Sequence, residues 1–213
     1  TAAAGALVSS TAVTASYARR LRNPSPADGA LIAGIAVASA IMYARVLLLT
    51  AILAAFALGP LALAAVPAGL VAAALAWAAV RRTAPMPADG DLKLGNPLEF
   101  GPAIALAAFV ALLAIGSRWA LQRFGDAGVG ALLLLTGFAD VDAAVITLAG
   151  LPDGTLSPTR AGLLLALPVV ANMVLKAGLA LVIAGGRNGW RAAWPLLASV
   201  LAAGAGMAVL AVR

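Results

Sequence analysis

Apolar segments about 20 residues long follow one another along nearly the whole chain, and they constrain its fold more than any other feature. A helix needs about 20 such residues to cross a bilayer, because each residue rises about 1.5 Å through a hydrocarbon core about 30 Å thick. Of the residues, 63% are hydrophobic and only 10% are charged, whereas a soluble domain carries about 25% charged residues. The sequence therefore predicts an all-α integral membrane protein.

We expect about seven transmembrane helices in a single membrane domain over residues 1–213. One polar loop, residues 81–97, separates the third apolar segment from the fourth. The chain begins in apolar sequence without an initiator Met, from which we expect that further residues precede it. The apolar segments are residues 1–18, 29–57, 60–80, 98–117, 127–150, 159–184 and 191–212.

The absence of cysteine and histidine excludes several kinds of chemistry. A disulfide framework, a zinc or copper site built on sulfur or nitrogen ligands, and a serine–histidine–aspartate triad are all impossible. Since no nucleophile–base pair is visible either, we expect neither an enzyme nor a cofactor. The net charge of +6 comes from cations that flank the apolar segments, and such cations indicate membrane topology and not nucleic-acid binding.

The flanking cations predict which side of the membrane faces the cytoplasm. If all seven segments cross, eight cations lie on one side and four on the other, and the side with eight is predicted to be cytoplasmic. The eight are Arg19, Arg20, Arg22, Arg81, Arg82, Lys93, Arg160 and Arg213, and the four are Arg118, Arg123, Arg187 and Arg191.

An internal repeat is predicted when the chain is shifted on itself by 131 residues. Each half then has a polar cluster in one span and a cation deep in the next, which predicts repeat one over about 1–82 and repeat two over about 98–213. Corresponding spans are four apart, and this even number of crossings predicts parallel repeats. The aligned residues are Ser9 with Asp140, Thr11 with Asp142, Ser16 with Thr147, and Arg45 with Lys176.

Four ionisable residues, Arg45, Asp140, Asp142 and Lys176, lie inside apolar segments. An ionisable group at the bilayer centre costs several kcal/mol, so it faces a protein interior or a wet cavity and finds a partner there. Two acids and two cations can neutralise one another. Arg45 lies too deep in its span to extend to the interface, and a structural ion pair with an aspartate is one interpretation of it.

Helical spacing places Thr136, Asp140 and Thr147 on one face of the fifth segment. Asp142 points about 200° away from Asp140 on a regular helix, which turns about 100° per residue. Either Asp142 meets a different neighbour, or the helix unwinds near Gly137 and both acids face one cavity, as in the broken spans of transporters. If a cation binds, the oxygens of the two acids are its candidate ligands.

The other candidate site residues are neutral. Asn172 and Lys176 are i, i+4 neighbours on the sixth segment, where Pro168 frees a backbone carbonyl. Four hydroxyl groups of the first segment are candidate ligands of a solute, and their alternative role is hydrogen bonding between helices. These hydroxyl groups belong to Ser9, Ser10, Thr11 and Thr14.

Two stretches of the chain together resemble a known family. The stretches GALVSSTAVTASYARR and GFADVDAAVITLA are similar to the paired signatures of the carboxy-terminal membrane domain of MgtC/SapB-like proteins, a domain of unknown function (DUF4010). MYARVLL and ANMVLKAGLA fit the second and sixth spans of that family. The resemblance implies a multi-pass protein of the bacterial inner membrane, with a further helix before this chain. It implies no established substrate.

Two hypotheses about function follow. The first is a transporter or channel for a small ion or solute, whose pathway lies at the interface of the repeats and is lined by the buried charges and hydroxyl groups. The alternative is a membrane regulator or assembly partner without transport, in which the same charges form a structural network. The lipid bilayer and a second copy of the chain, as a homodimer, are the partners expected in both.

Overall fold

The computed structural model describes residues 2–23, 25–26, 28–81, 100–152 and 154–212, and these residues form helices joined by short turns. No strand occurs in this part of the chain, which confirms the all-α prediction. Helix α4 is broken at Gly125 (φ 59°, ψ −148°), so the described chain contains eight helical segments. The helices are α1 (Ala2–Leu21), α2 (Asp28–Leu53), α3 (Ala55–Arg81), α4 (Phe100–Ala139), α5 (Val141–Ala149), α6 (Pro158–Ala184) and α7 (Gly186–Val212).

Four of these helices are long and apolar enough to cross a membrane, which indicates a multi-pass membrane protein. They are α2, α3, α6 and residues Gly186–Leu210 of α7, each with 25 to 27 residues. A helix of this length extends about 38–40 Å at 1.5 Å per residue. The residues Ala127–Gly137 of α4 form a shorter apolar helix. The remaining predicted spans stay predictions.

The boundaries of α2 and α3 recur in α6 and α7. The last residues of α2 and α6, Leu53 and Ala184, are 131 positions apart, and so are the first residues of α3 and α7, Ala55 and Gly186. The single residues between these helices also match, because the Ala54 amide donates to the Thr50 carbonyl and the Gly185 amide to the Leu181 carbonyl. The predicted segment 29–57 is therefore interrupted at Ala54.

The chain packs as two compact units. The first unit consists of Thr1–Ala44, Val66–Leu94 and Met173–Ala203, and the second of Arg45–Ala65, Gly95–Asn172 and Gly204–Arg213. Helices α2, α3, α6 and α7 contribute residues to both units.

In the first unit, hydrogen bonds show that α2 and α7 run in the same direction. Near the beginnings of both helices, the Asn188 amide group donates to a carboxylate oxygen of Asp28 at 2.7 Å and to the carbonyl of Leu21 at 3.2 Å. Farther along both helices, the hydroxyl of Tyr43 donates to the hydroxyl of Ser199 at 3.1 Å. The turn between α6 and α7 therefore lies beside the turn between α1 and α2.

Helix α6 runs opposite to α2, so the prediction of parallel repeats is wrong. Gly185 alone separates α6 from α7, and its φ of 67° is in the left-handed region that glycine adopts without strain. The chain reverses there, since a Cβ atom on Gly189 of α7 would lie 3.0 Å from the carbonyl oxygens of Ala180 and Leu181 in α6. Because α7 is parallel to α2, α6 is antiparallel to it.

In the second unit, the part of α4 after Gly125 runs in the same direction as α6. A Cβ atom on Gly130 would lie 2.8 Å from the Leu164 side chain, and a Cβ atom on Gly137 would overlap Pro168. The residue numbers of the contacts increase together along both helices, which shows that the two helices run in the same direction. Close packing at Gly137 requires a residue without a side chain.

Helix α5 instead runs in the direction of α2. Arg45 contacts Asp142 near the beginning of α5, while Leu53 and Leu148 line one cavity of about 460 Å³ near the ends of the two helices. The chain consequently reverses between α4 and α5, at Asp140. We call residues 126–149, which form the two arms of this turn, the Asp140 hairpin.

This hairpin explains why the predicted orientation was wrong. The prediction of an even number of crossings assumed that residues 127–150 form one complete span. In the structure, the chain turns back within these residues. Among the described residues, the assigned side changes accordingly for Arg160, Arg187 and Arg191. The last two lie at the same end as Arg22, whereas Arg160 lies at the other end of α6.

Candidate functional site

The break at Asp140 is built by its own side chain. The backbone there is extended (φ −156°, ψ 123°), and the Asp140 amide closes α4 by donating to the Thr136 carbonyl at 2.7 Å. The Asp140 carboxylate accepts a hydrogen bond from the amide of Asp142 at 2.9 Å and thereby caps α5. Aspartate is among the best N-cap residues, because its short side chain satisfies an amide that the helix leaves open.

Asp142 forms a bidentate ion pair with Arg45. Nη2 of Arg45 lies 2.6 Å from Oδ2 of Asp142, and Nε donates to Oδ1 at 3.2 Å. Two parallel bonds of this kind fix the planes of both groups. The side chains are 20% and 21% exposed. Arg45 lies eight residues before the end of α2, so the pair is about 12 Å along the helix from that end.

Lys176 occupies the corresponding position in α6, eight residues before Ala184. It is fully buried, and its ammonium group donates to the hydroxyl of Ser10 at 2.7 Å. One turn farther along α1, the buried Thr14 hydroxyl donates to the carbonyl of Ser10 at 3.0 Å. The Ser10 hydroxyl of α1 therefore meets the cation of α6, as the Asp142 carboxylate of α5 meets the cation of α2.

Asn172 holds the tip of the Asp140 hairpin against α6. Its buried amide group donates to the Gly137 carbonyl at 3.0 Å. This carbonyl is one of the last four in α4, which have no partner within their own helix. Buried in hydrocarbon without a partner, such a group costs several kcal/mol. Asn172 thus stabilises the break.

The hydroxyl groups of the hairpin differ in their hydrogen bonding. Thr136 is buried and donates to the Leu133 carbonyl at 2.7 Å. The Thr147 hydroxyl is the buried side-chain group that has no hydrogen-bond partner in the described part of the chain. An unsatisfied buried hydroxyl is unusual and points to a water, an ion or a ligand as its partner.

The structure brings the predicted site residues into two groups. Asp140, Asp142, Arg45 and Asn172 meet at the hairpin, and Lys176 meets Ser10 beside Thr14. The predicted continuous stripe of Thr136, Asp140 and Thr147 does not form, because the helix is interrupted at Asp140. Thr11 is half-buried, and the side chain of Ser9 lies outside the described residues. Among the described residues, no group of three or more acidic side chains could hold a metal ion.

Sequence reasoning missed two polar contacts, Tyr43 with Ser199 and Asn188 with Asp28. The first had a signal, since the hydroxyl of a tyrosine inside an apolar segment finds a partner when it is buried. The contact of Asn188 with Asp28 had no signal in the sequence, because it forms only when the α1–α2 turn and the α6–α7 turn lie side by side.

Comparison with known proteins gives a family but no activity. A family model described as "Domain of unknown function (DUF4010)" matches residues 1–184. A relative from Aquifex aeolicus (strain VF5), described as an uncharacterized protein, is 26% identical over 184 residues, which cover 85% of this chain and 80% of the relative. No solved structure matches the chain.

Proposed function

This chain belongs to the family described as a domain of unknown function (DUF4010), so we propose its activity from the site: a transporter or channel for a small ion or solute. The single observation that carries the proposal is the Arg45–Asp142 pair at the tip of a hairpin that breaks an apolar segment. The proposal includes a place in the bacterial inner membrane and the relation to MgtC/SapB-like proteins.

The exposure of the pair favours a wet pathway. About a fifth of each side chain is uncovered by protein. Contact of these charges with hydrocarbon costs several kcal/mol, so the uncovered part is better placed in a cavity that contains water or solute. Half-helices that turn back at membrane depth occur where they are buried in protein or line such a cavity. Sites for substrates and coupling ions in transporters are built from helices of this kind.

An inverted internal repeat provides a second argument. The boundaries that recur at 131 positions belong to helices of opposite direction, so the proposed repeats 1–82 and 98–213 have inverted and not parallel topology. The contacts between helices recur as well. Gly206 of α7 packs on Leu63 of α3. The residue 131 positions before Gly206 is Leu75 of α3, the residue 131 positions after Leu63 is Trp194 of α7, and these two line one groove. Inverted repeats are the common basis of alternating access.

The charged residues have distinct roles in this proposal. Asp140 and Asp142 bind a cation or carry a proton, while Arg45 competes for Asp142 and so controls when that carboxylate is available. Lys176 contacts an anionic solute or competes for the acids. Neutral ligands come from Ser9, Ser10, Thr11, Thr14, Thr136, Thr147 and Asn172.

The alternative, a regulator without transport, also has an observation in its favour. The Arg45–Asp142 pair is bidentate, and Asn172 satisfies the Gly137 carbonyl, so much of the polar network has partners within the protein. A network that is only structural makes the protein less stable when one partner is removed, and it carries no flux. Either function is compatible with a homodimer.

Flux measurements in proteoliposomes test the proposal. Purified protein is reconstituted and screened with protons, monovalent cations, magnesium and small anions. We expect Asp140→Asn to reduce the flux roughly tenfold or more, because asparagine caps α5 as well as aspartate but has no charge. The variant Asp140→Asn/Asp142→Asn should abolish it.

The matched control is Asp28→Asn, which neutralises an acid at the beginning of α2, outside the hairpin. It should leave the flux unchanged, and thermal unfolding in detergent should show that all variants are folded. Wild-type flux that persists in the double variant contradicts a pathway at these acids. The absence of any flux from folded wild-type protein contradicts transport and favours the regulator.

A further inference from the structure

A basic cavity lies at one end of the first unit, where the α1–α2 and α6–α7 turns meet. Its volume is about 480 Å³, and its charged lining residues are Arg22, Arg187, Arg191 and Asp28. The lining thus contains three arginines and one aspartate. The amide groups at the beginning of α7, a helix of 27 residues, add partial positive charge at the same place.

The single acid of this cavity is held by neutral donors. Oδ2 of Asp28 accepts from the Asn188 side chain at 2.7 Å, and Oδ1 accepts from the amide and the hydroxyl of Ser25 at 3.1 and 3.2 Å. These bonds fix the α1–α2 turn against the α6–α7 turn. Asp28 therefore has a structural role in the wall, and the cavity as a whole remains positive.

An apolar groove continues from the basic cavity, and Arg191 lines both. The groove has a volume of about 480 Å³ and contains Leu75, Ala78, Trp190 and Trp194. The two tryptophans are 55% and 51% exposed. Exposed tryptophans on a membrane helix lie at the level of the lipid headgroups, which places the groove at the edge of the hydrocarbon and the cavity in the headgroup region.

We propose that the cavity and the groove together bind one anionic phospholipid. The phosphate lies among Arg22, Arg187 and Arg191, and an acyl chain follows the groove past Trp194. Arginine suits this role because its planar fork binds phosphate through two hydrogen bonds. Basic pockets between membrane helices are known to bind anionic headgroups. The proposal does not depend on transport.

A corresponding cavity of the second unit has a different lining. It lies between the α2–α3 turn and the loop before α6 and includes Phe56, Leu151 and Thr155. None of its described lining residues is basic. The repeat therefore provides two equivalent cavities, of which only the one at the arginine-rich end has the charge to attract an anionic lipid. That end is predicted to be cytoplasmic.

Native mass spectrometry of the full chain in detergent tests the proposal, with dioleoyl phosphatidylglycerol and dioleoyl phosphatidylcholine as probes. We expect wild-type protein to retain phosphatidylglycerol preferentially. Arg187→Gln/Arg191→Gln should weaken that binding roughly thirtyfold, the effect of removing two basic groups near an anionic surface. Ala78→Trp, which fills the groove, should weaken the binding of the dioleoyl lipid and leave that of the dihexanoyl lipid unchanged.

The control Arg123→Gln/Arg160→Gln removes the same charge outside the cavity and should retain wild-type binding. An equal loss in this control would show that net charge explains the binding and would overturn the site. Equal affinity of wild-type protein for both headgroups would overturn it as well. Displacement of dioleoyl phosphatidylglycerol by millimolar inorganic phosphate would show a phosphate site in place of a lipid site.

Discussion

Two aspartates separated by one residue have different tasks in this protein. Asp140 shapes the backbone, because its carboxylate caps α5 and ends the continuous helix. Asp142 balances the charge of Arg45, because its two carboxylate oxygens pair with Nη2 and Nε of the guanidinium group. The spacing of the two aspartates allows both tasks. An N-cap side chain accepts a hydrogen bond from the amide two residues later, so the amide of Asp142 bonds to Asp140 while the Asp142 side chain, in the first turn of α5, remains available to Arg45.

The ion pair predicts strong coupling between its two residues. Arg45→Gln should lower the free energy of unfolding by about 2–3 kcal/mol, less than for a fully buried pair because both side chains are partly exposed. Arg45→Gln/Asp142→Asn should lose about 1–2 kcal/mol less than the sum of the single variants. Reversible unfolding in mixed micelles measures these values, with the exposed Arg123→Gln as a control. Additive losses would show that the pair contributes no coupling.

At the scale of elements, the Asp140 hairpin depends on close approach to α6. Gly137 packs against Pro168 with no room for a Cβ atom, and Asn172 donates to the Gly137 carbonyl from the same helix. A larger residue would separate the two helices and break this hydrogen bond. The hairpin is therefore held by one packing contact and one polar contact at the same level of α6.

Two glycine substitutions test this packing. Gly137→Ala should destabilise the protein by about 1–3 kcal/mol, because the added methyl group forces the backbone to shift. Gly178→Ala, in α6 where a Cβ atom meets nothing within 4 Å, should be neutral or stabilise the protein by up to about 1 kcal/mol. Thermal unfolding in detergent compares the two. Equal behaviour of the variants would contradict the close contact with Pro168.

At the scale of the whole molecule, the direction of each helix, more than the number of helices, decides which residues lie at the same end. Because α2 and α6 are antiparallel, their beginnings lie at opposite ends, although the two helices share length and boundaries. The same reversal gathers Arg187 and Arg191 with Arg19, Arg20 and Arg22. These cations lie at the end that the sequence predicts to be cytoplasmic.

Single cysteines can test the orientation, because the natural chain has none. We expect Ser25→Cys, before α2, and Ser157→Cys, before α6, to react with a membrane-impermeant maleimide from opposite sides of the membrane. Arg187→Cys should react from the same side as Ser25→Cys. Labelling of inverted and right-side-out vesicles measures this. Reaction of Ser25→Cys and Ser157→Cys from one side would restore the parallel arrangement.

The sequence alone determined the membrane environment, the fold class and the candidate site residues. Hydropathy is a sum over consecutive residues, so the all-α membrane class could be read without knowing any contact. The cost of a charge in hydrocarbon likewise singled out Arg45, Asp142 and Lys176 from their positions alone. The shift of 131 residues that recurs in the helix boundaries was visible in the spacing of these polar residues.

Only the tertiary structure decided the direction of the helices and the partner of each charge. An apolar segment of 24 residues has the same hydropathy whether it crosses the membrane or turns back at Asp140, so counting crossings could not distinguish the two. The choice depends on contacts far apart in sequence, Gly137 with Pro168 and Arg45 with Asp142. Spacing along one helix carries no information about such contacts, because they arise only when separate helices pack together.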